Sequence, residues 1–188
     1  MFAEHGLDAG VGEIAARAKI GRGTLFRNFP SKQDLIAAVV ADKMQRAVAD
    51  GRKLLASDEG RGTAVFEFLK EMVHRQQRER ALFEAIADEF LSHPDIKAVQ
   101  TDLLGLLDDL LDDGKRAGTV RLDVGAVDVM LLTKGVCSAA SALEGSPELL
   151  DRHLALITAA ISTPEHAVPL AGPTPTIADL SAAHSVRR

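Results

Sequence analysis

Arg17, Lys19, Arg22, Arg27 and Lys32 put five cationic side chains into the nineteen residues from Ile14 to Lys32, IAARAKIGRGTLFRNFPSK, which contain no Asp or Glu. In a chain of net charge −5, such a local excess suggests a polyanion, and phosphate is its obvious chemical group. Thr24 and Asn28 stand among these cations. Arginine pairs bidentately with guanine, asparagine pairs with adenine, and threonine bonds a phosphate or touches a thymine methyl, so the side-chain types suit a nucleic acid duplex.

The elements that must position these groups follow from the apolar spacing. Ile14, Ala15 and Ala18 share one face of a short helix, and Leu25, Phe26 and Phe29 repeat the pattern in the next, so two helices meet at an apolar corner. Ala18-Lys19-Ile20-Gly21 supplies the turn, with Ile20 as a small plug and Gly21 free to open the second helix. Arg22, Thr24, Arg27 and Asn28 are left facing outward. Ser31 and Asp34 have the spacing of a capping box for a longer helix, and Lys32 falls at its N-terminus, where phosphate binds favourably.

FAEHG followed by EIAARAKIGRGTLFRNFPSKQDLIAAV resembles the N-terminal DNA-binding module of TetR-like transcriptional regulators. The resemblance implies an all-α homodimer that represses transcription at a double-stranded DNA operator until a small-molecule effector binds its C-terminal domain. It places the helix from Arg22 to Phe29 in the major groove and makes Lys19, Arg22, Gly23, Thr24, Phe26, Arg27, Asn28 and Lys32 the DNA-contact set. The chain departs from the family pattern at several positions. Gly10 and Gly21 replace helix-opening hydroxyl residues, Lys19 replaces the usual turn glycine, and Phe26 stands where tyrosine is common. Two capping or phosphate-binding hydroxyls and one phenol are thus missing, with Lys19 and Arg22 adding charge in their place. The family also carries a full first helix, of which Met1 to His5 supplies little more than the last turn. The expectation is an upstream start or a truncation that exposes Ile14, Leu25 and Phe29.

Composition agrees with a helical protein. The 188 residues contain no Trp or Tyr and seven Phe, and aliphatic residues dominate. Residues 1–55 hold nine Lys or Arg against six Asp or Glu, a charge of +3, which leaves −8 for the remainder. The single cysteine, Cys137, excludes an internal disulfide and fits a reducing cytoplasm. No apolar run suggests a membrane span or a signal peptide.

Along the chain, a connector helix is expected from Ser31 to about Leu55, then a polar glycine-containing break, so residues 1–56 form the DNA-binding domain. Residues 57–162 form a helical ligand-binding and dimerisation domain. Its helices are expected at Thr63 to about Arg80, Leu82 to Leu91, Asp95 to Ala117, a segment capped by Asp123, and a last one opened by Ser146-Pro147-Glu148. The last two are apolar enough to pack inward and still pair two subunits. LLDDGKRAGTVRLDV adds a phrase familiar from the family's C-terminal domain. Four prolines from Pro164 onward suggest that 163–188 is a disordered tail.

Ligand chemistry has a fainter signature. Phe68, Met72, Leu103, Leu107 and Cys137 lie on faces that suit the wall of an effector cavity as well as plain core. His74, Arg75, Gln77 and Arg80 suit a pocket or a solvated helix surface equally. Asp108, Asp109, Asp112 and Asp113 form two acidic pairs, but a wet helix face accounts for them better than a metal site, since calcium-loop spacing is absent. No cofactor is expected. No base, nucleophile and orienter assemble around Cys137 or the aspartates, which argues against an enzyme. A helical dimer that binds ligand but not DNA is the alternative to the regulator.

Overall fold

A computed structural model describes residues 10–78, 93–142 and 147–163. The expected second segment of the body, Leu82 to Leu91, lies outside these residues, as do the first-helix remnant, the Ser146 cap and the tail from residue 164. Among the described residues the structure is all-α, with one isolated bridge between Val120 and Ser162. The helices are α1 (Val11–Arg17), α2 (Arg22–Asn28), α3 (Lys32–Leu55), α4 (Ala64–Arg78), α5 (Pro94–Ala117), α6 (Ala126–Ala142) and α7 (Pro147–Ile161), with a 3₁₀ turn at Asp58–Gly60. None is long and apolar enough to cross a membrane.

The chain divides into two compact units. One lies within Met1–Val48 and Arg78–Leu103, the other within Ala49–Gln77 and Leu104–Arg188, so the division falls inside the long helices α3 and α5. In the first unit Ala15, Leu25 and Leu35 form a buried cluster flanked by Ile14, Phe29 and Val39. A second cluster joins Ile36, Ala37 and Val40 of α3 to Ile96 of α5. In the second unit Leu106, Leu107, Leu110 and Leu111 of α5 are almost fully buried, as are Val65, Leu69 and Val73 of α4.

Several helix ends follow local rules. Ser31 Oγ accepts the Asp34 N–H at 3.0 Å while the Asp34 carboxylate accepts the Ser31 N–H at 2.9 Å, so the expected capping box is closed in both directions. Helix α5 starts one residue earlier than its spacing suggests. Pro94 takes the first helical position, where a missing N–H costs nothing, and His93 precedes it with its carbonyl bonded to the Lys97 N–H at 3.0 Å. It ends in a paired-bond C-cap in which Gly118, at φ 77°, donates to the Lys115 carbonyl and Thr119 to that of Gly114. Asp123, expected to cap α6, accepts from Arg121 Nε and Nη2 at 3.0 and 2.9 Å, and the helix begins at Ala126, just after Gly125, whose N–H donates to Asp128 at 2.9 Å.

The polar residues of α4 tie the second unit together. His74 meets Asp151 of α7 at 3.1 Å, Arg75 meets Asp50 of α3 at 3.1 Å, and Gln77 donates to the Cys137 carbonyl of α6 at 3.5 Å. Lys53 first, and Arg75 with it, hold the Asp50 carboxyl below its ordinary value. Asp113, half of one expected acidic pair, accepts the Gly62 N–H at 2.6 Å and pairs with Arg116 at 3.4 Å. It fastens the turn before α4 to α5.

Candidate nucleic-acid interface

Helices α1 and α2 are each only seven residues long, so their geometry depends on their ends and on the corner between them. Gly10 and Gly21 occupy the N-cap positions, and neither supplies the side-chain bond with which a hydroxyl residue would cap the first turn. The turn between them repeats the C-cap of α5. The Ile20 N–H donates to Ala15 O at 3.0 Å and the Lys19 N–H to Ala16 O at 3.1 Å. Lys19 sits where α5 has Gly118, and its φ of 56° lies in the left-handed region.

A lysine pays a steric cost there that glycine does not. Lys19→Gly is therefore expected to raise thermal stability despite removing a surface charge. The relieved strain, about 1–2 kcal/mol, exceeds the added backbone entropy of glycine, about 0.5–1 kcal/mol. A melting temperature that falls in this variant would show that the turn tolerates lysine without strain.

Most of the expected contact set is open to solvent. Lys19, Arg22, Gly23, Thr24, Phe26, Arg27 and Asn28 are all exposed, and Lys32, the first residue of α3, is half-buried. Two apolar expectations fail. Ile20 does not plug the corner, being 40% exposed, and Phe26 turns outward at 48% exposure instead of joining Leu25 and Phe29. Ala18 is exposed as well. Leu25, by contrast, is buried at 4% because Leu35 of α3 belongs to the same cluster. A third helix thus completes the corner that α1 and α2 begin.

The outward side chains are partly occupied by their own helix. Arg27 Nε donates to Gly23 O at 3.3 Å and its Nη2 to Thr24 Oγ1 at 3.5 Å, both long bonds. Asn28 Nδ2 donates to Thr24 O at 2.8 Å, which uses one of its two amide N–H groups. Arg22 folds back over α1, and a Cβ on Gly12 would fall 1.9 Å from Arg22 Nη2. The bareness of Gly12 is thus what lets the guanidinium lie there, a contact with no periodic signature.

Behind this surface the capping box has a further bond, in which Asp34 Oδ1 accepts from His93 Nε2 at 3.4 Å. The Asp34 carboxyl is held below its ordinary value, chiefly by the Ser31 hydroxyl and next by His93. A depressed carboxyl stabilises the fold at pH values above the ordinary carboxylate range, and that contribution is lost as pH falls through the depressed value.

The five residues proposed for an effector cavity are less unified. Phe68, Leu107 and Cys137 are buried in the second unit and Met72 is half-buried there, whereas Leu103, also half-buried, closes the first unit. Burial pushes the Cys137 thiol up to about 11, so at neutral pH it is protonated and a poor nucleophile.

The family model for bacterial regulatory proteins of the tetR family matches residues 1–39, and that for the SbtR-like transcriptional regulator C-terminal domain matches residues 61–161. No curated protein matches. Among solved structures, a TetR transcription regulatory protein from Mycobacterium vanbaalenii is 32% identical with a TM-score of 0.64, the match covering 86% of this chain and 88% of that one. The TetR regulator SCO0520 from Streptomyces coelicolor shares the fold at 24% identity and a TM-score of 0.67, over 88% of this chain and 93% of its own. FadR from Bacillus subtilis, solved in complex with stearoyl-CoA, does so at 15% identity and a TM-score of 0.64, over 85% and 93%.

Proposed function

The chain belongs to the TetR family of transcriptional regulators, and from that premise we propose that it is a repressor that binds a near-palindromic operator as a homodimer and is released by a small-molecule effector. Residues 1–56 then act as the reading head and 57–162 as the effector and dimerisation body. The observation that carries the reading is the outward surface of α2. It presents Arg22, Thr24, Arg27 and Asn28 to solvent in a stretch free of acidic residues.

In this reading Arg27 and Asn28 contact base edges, while Thr24, Lys19, Arg22 and Lys32 bond phosphates. Two copies of α2 must be presented about 34–36 Å apart, or a multiple of it, to enter successive major grooves. The second subunit is supported by α6 and α7, which pack against each other and still expose Leu131, Leu132 and Leu156 at 42, 41 and 58%. Effector bound in the body displaces the connector helix α3, and effector and operator then weaken each other's binding by the same factor. A cytoplasmic location follows from this role.

The test is binding to the DNA upstream of its own gene across a salt series. Three phosphate-binding cations per subunit, Lys19, Arg22 and Lys32, give up to six phosphate contacts in a dimer. The expected loss of affinity is about 10²–10³-fold between 50 and 200 mM salt, for a slope of roughly −4 to −5. A dimer without salt-dependent DNA binding would instead be a ligand-binding protein on this fold.

A further inference from the structure

Phe26 is a large apolar side chain with about half its surface in water, on the element otherwise lined with cations and hydrogen-bonding groups. Its exposure, 48%, sets it apart from its neighbours Leu25, at 4%, and Phe29, which packs against the same buried cluster. Leu25 and Phe29 already supply the inward face of α2. Phe26 lies outside that buried cluster, and what distinguishes it from a singly exposed apolar side chain elsewhere is its place among the cations of α2.

Helix geometry places it beside the outward ridge. With Leu25 pointing inward, successive residues turn by about 100°, so Gly23 and Arg27 lie opposite the core and Phe26 on the flank next to them. Gly23 is one turn from Phe26 on this side. A Cβ added to Gly23 would meet nothing within 4 Å, the Phe26 ring included, so open space lies over the Gly23 backbone one turn before the ring. The result is a shallow apolar step, with Arg22 and Arg27 as its charged neighbours.

The charge of that surround limits what can fill the step. A partner drawn by Arg17, Lys19, Arg22, Arg27 and Lys32 is a polyanion, and a DNA duplex shows one apolar group in its major groove, the C5 methyl of thymine. We infer that Phe26 reads thymine, its ring and the bare Gly23 backbone together enclosing the C5 methyl group and rejecting cytosine at one position of each half-site. This rests on the operator-binding reading above and adds a sequence preference that neither the arginines nor Asn28 supplies.

The experiment uses the full chain and a duplex that it selects from a random library, resynthesised with each thymine in turn replaced by deoxyuridine. Deoxyuridine keeps every hydrogen-bonding group and lacks only the methyl. One symmetry-related pair of positions is expected to lose about four-fold in affinity per methyl, or roughly fifteen-fold together, from the burial of one carbon at each. In Phe26→Ala that penalty disappears while deoxyuridine elsewhere behaves as before. Phe26→Leu, still apolar, retains part of it. Phe26 lies outside the buried clusters, so circular dichroism of both variants is expected to match the parent. Selection of a duplex with no methyl-sensitive position, or the same penalty in Phe26→Ala, overturns the inference and leaves DNA binding standing. Failure to select any duplex overturns the binding reading and the inference with it.

Discussion

Leu131→Glu combined with Leu156→Glu is expected to split the dimer into folded monomers and to abolish operator binding at concentrations where the parent is saturated. Both leucines lie on exposed faces of α6 and α7, and on α7 the exposed set continues through Ala155, Ala159 and Ala160. Small residues beside a leucine let a facing helix approach closely, and a two-fold interface uses each residue twice. Two leucines per subunit place four in the interface. At about 1.5–3 kcal/mol for each fully buried leucine, their removal costs at least about 6 kcal/mol, more than 10⁴ in dissociation constant. The buried carboxylates add a desolvation cost. Sedimentation equilibrium of parent and variant reads the change directly. A parent that is already monomeric, or a variant that remains dimeric, would remove α6 and α7 from the interface. Because both leucines are exposed in the single chain, helicity and melting of the monomer should survive, which separates dissociation from unfolding.

Arg27→Ala is expected to weaken operator binding by about 30-fold to 10⁴-fold, taking about 1–3 kcal/mol for a bidentate base contact in each of two half-sites. Asn28→Ala is expected to cost less, and the hydrogen bonds explain why. The bonds that hold Arg27 to its own helix are 3.3 and 3.5 Å long, so little is given up when the guanidinium swings out. Asn28 commits one of its two amide N–H groups to the Thr24 carbonyl at 2.8 Å, which restricts how the amide can turn to pair with adenine. The pattern of loss across sequences separates two roles for Arg27. A loss confined to one base position means guanine recognition, whereas a uniform loss with a shallower salt slope means a phosphate contact. An Asn28→Ala defect larger than that of Arg27→Ala would reverse the ranking. Unchanged affinity in both would return the basic stretch to an ordinary solvated face.

Much of the first unit follows from nearest neighbours along the chain. The corner built on Ala15 and Leu25, the Ser31–Asp34 capping box and the glycine close of α5 all depend on groups near one another along the chain. Spacing alone therefore predicts them. The cationic and hydrogen-bonding side chains of α2 were legible for the same reason, since charge and side-chain type are properties of composition. Lys19 is a case in between. Its position marks a turn, and the positive φ shows why glycine serves better there.

The rest was decided by packing. Periodicity locates a residue on a helix only to within a flank, so it grouped Phe26 with Leu25 and Phe29. The third dimension turned Phe26 to water and brought Leu35 over Leu25 instead. Partners distant in sequence leave no local mark. Arg75 with Asp50, His74 with Asp151 and Asp113 with the Gly62 amide convert apparent surface or ligand groups into ties between helices. The order of residues was enough to determine which helices form and what their charge attracts, because both arise from interactions local to the chain. Which side chains remain free to meet DNA or a second subunit depended on the fold, because burial and long-range pairing exist only once the helices have packed.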